Sequence, residues 1–277
     1  MKKSYILVID SGLGGVNILK ALKETFVHEN FIYVLDNKNC PYGEKTKEEL
    51  VQIALQIVTK NIFKFNIKLI VFACNTLTSV TIEEVRYFLK KNHLRNICNK
   101  DIFGIVKKKS PNYDISVVGT EPPIKMVNPN EKTLICATMQ TIKYNKIINE
   151  NLDNENFDFV ALTDIAKMVD SNFYNRKSII ESLKQQIPKK DYKNVVLGCT
   201  HYYYLENDIK LALENPKLKF YNATLGVVKR VKVMLKKYEN QTGENNLRLK
   251  KGKIVILLTK PNRFLKKCAK KILYNDL

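Results

Sequence analysis

Apolar and polar positions alternate along this chain in two distinct rhythms. Short apolar runs of about five residues are followed by stretches in which apolar residues recur at helical spacing. Tyr5–Ile9 predicts a strand, "DSGLGG" a turn and Val16–Thr25 a helix. Phe31–Leu35 predicts the next strand, "DNKNCPYGEKT" a loop, and the residues from about Lys47 to Phe63 a helix. A third strand, Leu69–Ala73, leads into a helix in which Ile82, Val85 and Leu89 share one face. The segment "KKNHLRNICNKDIFGIVKKKSPNYD" interrupts the rhythm and is expected to be a linker or insertion. Strands are then predicted at Ile115–Val118, Lys132–Cys136, Phe157–Leu162 and Val195–Leu197, with helices between. A last loop and strand fall in "GENNLRLKKGKIVILL", and Arg263–Leu273 predicts a final helix.

Strand–helix alternation of this kind implies parallel sheets covered by helices on both faces. The expected architecture is therefore α/β, with two pseudo-symmetric, doubly wound parallel-sheet domains and a cleft between them. Residues 1–98 with 222–277 are expected to form the first domain, and 99–221 the second.

Two strand ends carry unusual chemistry. "KLIVFACNT" and "KNVVLGCTH" follow the same pattern, and each delivers a cysteine, Cys74 or Cys199, at the strand tip. Ligands of open α/β sheets bind beyond the carboxyl ends of the strands, so both cysteines are expected at that edge, facing one cleft. For either cysteine alone, a small buried apolar residue is the simpler reading. Each, however, precedes an amide or hydroxyl residue where a helix begins, and a helix N-terminus lowers a thiol pKa from about 8.5. Two such thiols can take a proton from one face of a carbon and return one to the other. Asp10 and His201 are positioned to be their proton partners.

The "DSGLGG" turn lacks the third glycine of a dinucleotide fingerprint, since Asn17 stands there, and it has no phosphate-binding lysine-serine pair. It reads as a strand–helix corner with exposed amides and Ser11, suited to a carboxylate.

Composition changes this picture little. The net charge is +20. Lysine, asparagine and isoleucine are abundant throughout, so nucleic acid is not the expected partner. Only "VKRVKVMLKKY" and "NRFLKKCAKK" concentrate basic residues, as solvated faces of amphipathic helices. The six cysteines Cys40, Cys74, Cys98, Cys136, Cys199 and Cys268 form no C-x-x-C pair, which argues for free thiols. Cys199 with His201 is too small a set for zinc, so no metal is expected. His28 and His93 are expected at the surface. No apolar run reaches the length of a membrane span, and no membrane partner is expected. The apolar run of "MKKSYILVID" is shorter than the core of a secretion signal, so a cytoplasmic protein is expected.

The motifs "VIDSGLGGVNILKAL", "CPYGEKT", "VFACNTLTS", "VGTEPPIK", "ATMQTI" and "VLGCTHYYYL" together resemble the glutamate racemases of the cofactor-independent aspartate/glutamate racemase superfamily. They follow that family's order and spacing across nearly the whole chain, and the Asp-Ser-Gly opening separates it from aspartate racemases. The resemblance implies that Cys74 and Cys199 are acid/base thiols assisted by Asp10 and His201. It also implies a substrate shell of Ser11, Pro41, Tyr42, Gly43, Asn75, Thr76, Thr138, Thr141 and Thr200. The implied reaction interconverts L- and D-glutamate without a cofactor, in a homodimer, supplying D-glutamate for peptidoglycan. Four features depart from the family: Asp170, counted with the catalytic residues as support for the second thiol, stands where it has glutamate; His201 is followed by Tyr202-Tyr203-Tyr204 where the family has an aromatic and then proline; "YNATLGVV" lacks a Ser-Gly pair; and the insertion at 92–112 is longer. Two alternatives stay open at this level: a racemase of aspartate or another acidic amino acid, and a non-catalytic basic binding protein.

Overall fold

The computed structural model describes residues 3–91, 115–171, 176–243 and 250–274. The interruption predicted after the third helix begins at Lys90, but Lys90 and Lys91 still belong to that helix; its remainder, with His93 and Cys98, lies outside the described residues.

The strands build two all-parallel sheets. The first contains β1 (Ser4–Asp10), β2 (Phe31–Leu35), β3 (Asn66–Phe72), β4 (Ser116–Val118) and β9 (Ile254–Leu258), in the order β4-β3-β1-β2-β9. The second contains β5 (Thr133–Ala137), β6 (Phe157–Ala161), β7 (Asn194–Gly198) and β8 (Lys219–Tyr221), in the order β6-β5-β7-β8. The central strands read as unbroken apolar runs because helices cover both faces. In β2 and β5 every residue is buried.

On one face of the first sheet lie α1 (Val16–Thr25), α9 (Thr224–Thr242) and α10 (Arg263–Tyr274), whose apolar residues share a core with Ile6, Val8, Phe31 and Tyr33. The other face carries α2 (Lys47–Lys64) and α3 (Asn75–Lys91), packed on Leu7, Ile9, Ile32 and Val34. Alternate residues of β1 and β2 thus point to opposite helix layers, as the period-two pleat requires. α2 starts sharply because Thr46 and Glu49 cap each other: Glu49 N–H donates to Thr46 Oγ1 at 3.2 Å, and Thr46 N–H to Glu49 at 2.8 Å. Such a cap contributes about 1 kcal/mol.

The second sheet is flanked by α4 (Met139–Tyr144), α5 (Lys146–Asn149), α6 (Ile165–Ser171), α7 (Arg176–Gln186) and α8 (Glu206–Ala212). Among the described residues no helix is long and apolar enough to cross a membrane.

The division expected at residues 98/99 places the strand near residue 116 in the second domain. Its pairing with β3, Leu69 to Ser116 and Val71 to Val118, puts it at the edge of the first sheet instead. A three-residue strand does not reveal its sheet, because that depends on which edge has unpaired backbone to offer. For the same reason β8, a short edge strand with no alternation, has no counterpart in the predicted elements.

Topology decides where a ligand can sit. From β1 the chain moves to β2 on one side and then crosses back to β3 on the other, so the strand order reverses between β1 and β3. In the second sheet β5 leads out to β6 and back to β7, so the reversal falls between β5 and β7. Helices diverge at such points and leave a crevice at the carboxyl ends.

Candidate active site

Each reversal point is marked by the residues that the sequence singled out. Asp10 ends β1, and Cys74 follows β3; Thr138 follows β5, and Cys199 follows β7. The crevices open onto one cleft of about 120 Å3. Ser11, Pro41, Tyr42, Gly43, Cys74 and Thr76 line it from the first sheet, and Thr138, Cys199 and His201 from the second. Glu44, Met139 and a run from the end of β6 into α6, including Thr163, Asp164 and Lys167, complete the wall. The sequence singled out none of this run, only Asp170 further along α6; the strand-end rule applied to β6 would have found it.

Asp10, Asn75, Thr141, Thr200 and Asp170 do not line the cleft; four of these five hold the residues around it. Asp10 is fully buried and accepts from Gly12 N–H at 2.8 Å and from the Thr200 hydroxyl at 3.1 Å. Thr76, Thr138 and Thr141 form a ring of hydroxyls, with Thr76 Oγ1 2.8 Å from Thr138 Oγ1 and Thr138 Oγ1 2.9 Å from Thr141 Oγ1. Thr138 also caps α4, accepting from Thr141 N–H at 3.2 Å. Asn75 is buried, and among the described residues its side-chain amide bonds to nothing. Such burial costs about 1–3 kcal/mol and favours a polar group that can pair with it.

The glycine turn differs from expectation. Two of its amides are taken by the protein's own carboxylates. Gly12 N–H is held by Asp10 and Leu13 N–H by Asp170 at 3.0 Å. The carbonyls are held as well, Gly12 by the Tyr33 hydroxyl at 2.7 Å and Leu13 by the Tyr204 hydroxyl at 2.9 Å. This packing explains the glycines. A Cβ at Gly12 would collide with the Asp170 carboxylate, and one at Gly14 would lie 2.5 Å from Thr200 Oγ1 and 2.7 Å from His201 N. Tyr204, one of the tyrosines that depart from the family pattern, is therefore a clamp on this turn. Tyr203 also has a place, accepting from Ala223 N–H at 3.1 Å.

Around Cys199 the partners come together as the sequence suggested. His201 Nδ1 lies 3.8 Å from Cys199 Sγ, and its Nε2 lies 3.1 Å from Asp170 Oδ1. Asp170 also accepts from the Cys40 thiol at 3.5 Å. Burial alone would push the imidazole down. The charge and hydrogen bond of Asp170, joined by Cys199, carry it well above its ordinary value.

Cys74 corrects an expectation. It does stand at the start of α3, with Leu77 N–H 3.5 Å from its sulfur. Yet its pKa is raised, not lowered: burial and then the Asp10 carboxylate outweigh the Leu77 and Thr76 amides, with Cys199 adding to the rise. A helix terminus is worth about 0.3–1 kcal/mol at exposed sites, less than the penalty for burying a charge. The resting Cys74 is a thiol. Burial likewise lifts the Asp10 carboxyl to about 6, despite His201 and the Gly12 and Thr200 bonds.

No family model matches the chain. The glutamate racemase of Clostridium acetobutylicum is 30% identical over 267 residues, which cover 93% of this chain and 92% of that protein. The chain belongs to the glutamate racemase family. The fold agrees. The crystal structure of a glutamate racemase from Bacillus anthracis superposes with a TM-score of 0.74 at 22% identity, covering 100% of this chain and 96% of that one. That of the Francisella tularensis glutamate racemase in complex with D-glutamate gives 0.73 at 20% identity, with coverage of 100% and 96%. The expected enzyme class, an amino-acid racemase, and the paired parallel-sheet architecture both hold.

Within this glutamate racemase family member, Asp170 reaches His201 from α6 although its side chain is one methylene shorter than glutamate. The glycine turn comes close enough for Leu13 N–H to donate to the same oxygen, Oδ1, that faces His201, while the Cys40 thiol takes Oδ2.

Proposed function

We propose that this chain interconverts L- and D-glutamate by passing a proton at Cα between two thiols, without a cofactor. The observation that carries this reading is the placement of Cys74 and Cys199 at the reversal points of two sheets that share one cleft, in a chain of the glutamate racemase family.

In this reading Cys74 and Cys199 approach opposite faces of the substrate carbon. A thiolate on one side takes the Cα proton, and the thiol on the other side delivers its own to the opposite face. Cys74, held as a thiol, is the ready donor. The charged His201 beside Cys199 stabilises that sulfur whenever it carries charge, and Asp170 keeps His201 charged and oriented. Asp10, with a carboxyl near 6, exchanges protons with Cys74 around neutrality.

Ser11, Thr76 and Thr138, which line the cleft, receive the substrate's carboxylates and ammonium, with Thr141 holding the two threonine hydroxyls and the unpaired amide of Asn75 turning to the substrate once it is bound. Pro41, Tyr42 and Gly43 shape the wall, and Thr200 acts through Asp10. The product serves peptidoglycan synthesis in the cytoplasm, and the enzyme works as a homodimer.

The test is proton NMR of L-glutamate with the purified protein in deuterated water, paired with chiral chromatography. Loss of the Cα proton signal with formation of D-glutamate is the expected result. Exchange without D-glutamate would leave only one working thiol. Folded, reduced protein that exchanged aspartate and left glutamate untouched would transfer the reaction to another acidic amino acid. Exchange of neither would favour a binding role.

A further inference from the structure

The two basic stretches that stood out in the sequence are far apart in the chain but not in the fold. They form α9 and α10, which pack on either side of α1 in one helix layer. α9 carries Lys229, Arg230, Lys232, Lys236 and Lys237 against Glu239. α10 carries Arg263, Lys266, Lys267, Lys270 and Lys271 and has no acid. α1 adds Lys20 and Lys23 against Glu24. Twelve cations against two carboxylates make a net +10, half of the molecule's +20, on three helices.

The layer on the opposite face provides the comparison. α2 and α3 together carry six cations against four carboxylates, a net +2. A chain-wide excess of lysine would charge both layers alike. It does not account for this asymmetry.

The basic layer also exposes large apolar side chains. Leu225 and Val233 on α9 are 67% and 61% exposed, and Phe264 and Tyr274 on α10 are 44% and 59% exposed. Cations interspersed with exposed aliphatic and aromatic side chains match an anionic lipid interface, which takes charge at the headgroups and apolar tips just beneath them. A nucleic acid would use the cations and leave Leu225 and Val233 without a role. A second copy presenting the same face would meet like charge, so a two-fold interface here is disfavoured.

We propose that the α1–α9–α10 layer is a peripheral docking surface for anionic phospholipid. It replaces the expectation of no membrane partner, which concerned spans alone. None of the cleft-lining residues lies on these three helices, so a docked enzyme keeps its cleft open. The proposal stands independently of the racemase reading.

The test is flotation of the full-length protein with vesicles of phosphatidylglycerol and phosphatidylcholine, against phosphatidylcholine alone, over a salt series. Binding is expected only to the anionic vesicles, and salt should release it. Removing one surface cation weakens such binding about fivefold, so Lys266→Glu with Lys267→Glu and Lys270→Glu should weaken it at least ~100-fold. The matched triple Lys60→Glu, Lys90→Glu and Lys91→Glu on the opposite layer should weaken it far less. Phe264→Ser should lower vesicle binding and leave binding to a single-stranded oligonucleotide unchanged. If the α10 triple fails to fold, this variant and the wild-type salt series carry the test. Three results would overturn the proposal: no binding to anionic vesicles at low salt, equal loss from both triples, or an oligonucleotide affinity that depends on α10 and exceeds the vesicle affinity. Basal turnover should be the same in every folded variant.

Discussion

Asp10→Asn should make the protein more stable and less active at once. Burial lifts this carboxyl from 3.8 to about 6, with His201 and the Gly12 and Thr200 bonds only partly opposing the rise. The folded state therefore holds the proton more tightly than the unfolded chain does. That contribution to stability is fully present below the unfolded pKa and is lost as pH climbs through about 6. A shift of about two pKa units corresponds to ~3 kcal/mol that the wild type gives up by neutral pH. Asparagine has the same shape and no charge. It keeps its oxygen for Gly12 N–H and turns an N–H donor toward Thr200, whose hydroxyl can accept. Urea unfolding followed by far-UV circular dichroism suits a chain without tryptophan. The variant's advantage should grow by about 2 kcal/mol between roughly pH 4.5 and roughly pH 7.5. An advantage that stays flat across this range, or a wild type that is the more stable at the upper end, would refute the account of Asp10 as a buried, proton-holding carboxyl. An unchanged racemisation rate would remove Asp10 from the reaction while leaving the stability argument standing.

Cys74→Ser and Cys199→Ser should each lower conversion in both directions by about 10^2–10^4-fold, since every turnover uses both sulfurs; normal racemisation by either variant excludes the two-thiol path. Each variant should still eliminate chloride from one enantiomer of a β-chloro analogue, and the two should choose opposite enantiomers. Asp170→Asn should let burial win at His201, so that the imidazole turns neutral at pH 7. With three histidines in the chain, its NMR titration can be followed directly, and a wild-type titration in the variant would show that Asp170 does not hold that charge. Tyr204→Phe should cost about 1 kcal/mol of stability through the lost bond to Leu13 and lower turnover more than substrate affinity. A fall in affinity alone would place Tyr204 at the substrate instead of behind the turn.

Much of the architecture was legible because it is written in local patterns. The helix Val16–Thr25 and the strand Phe31–Leu35 coincide with their predicted bounds, since burial on both sheet faces leaves an apolar run and amphipathic burial leaves a helical period. Both catalytic candidates among the cysteines, and their hydroxyl neighbours, were visible because strand-end position follows directly from strand assignment. The least legible parts depended on contacts across the cleft. No spacing rule tells that Leu13 and Asp170, 157 residues apart, share a hydrogen bond, or that Tyr204 closes on the same turn from 191 residues away.

The chain by itself therefore determined the elements, the paired cysteine strands and the family, all of which rest on periodicity or on contiguous motifs. Tertiary structure decided the rest. It assigned the strand at residue 116 to the first sheet and set two of the protein's own carboxylates on the Gly12 and Leu13 amides of the glycine turn. It set Cys74 as a thiol, because burial and the Asp10 charge act through space and exceed the helix terminus that sequence can see. It also gathered two distant basic helices beside α1. Desolvation, charge and packing are properties of what surrounds a residue, and those surroundings exist only once the sheets have closed on one another.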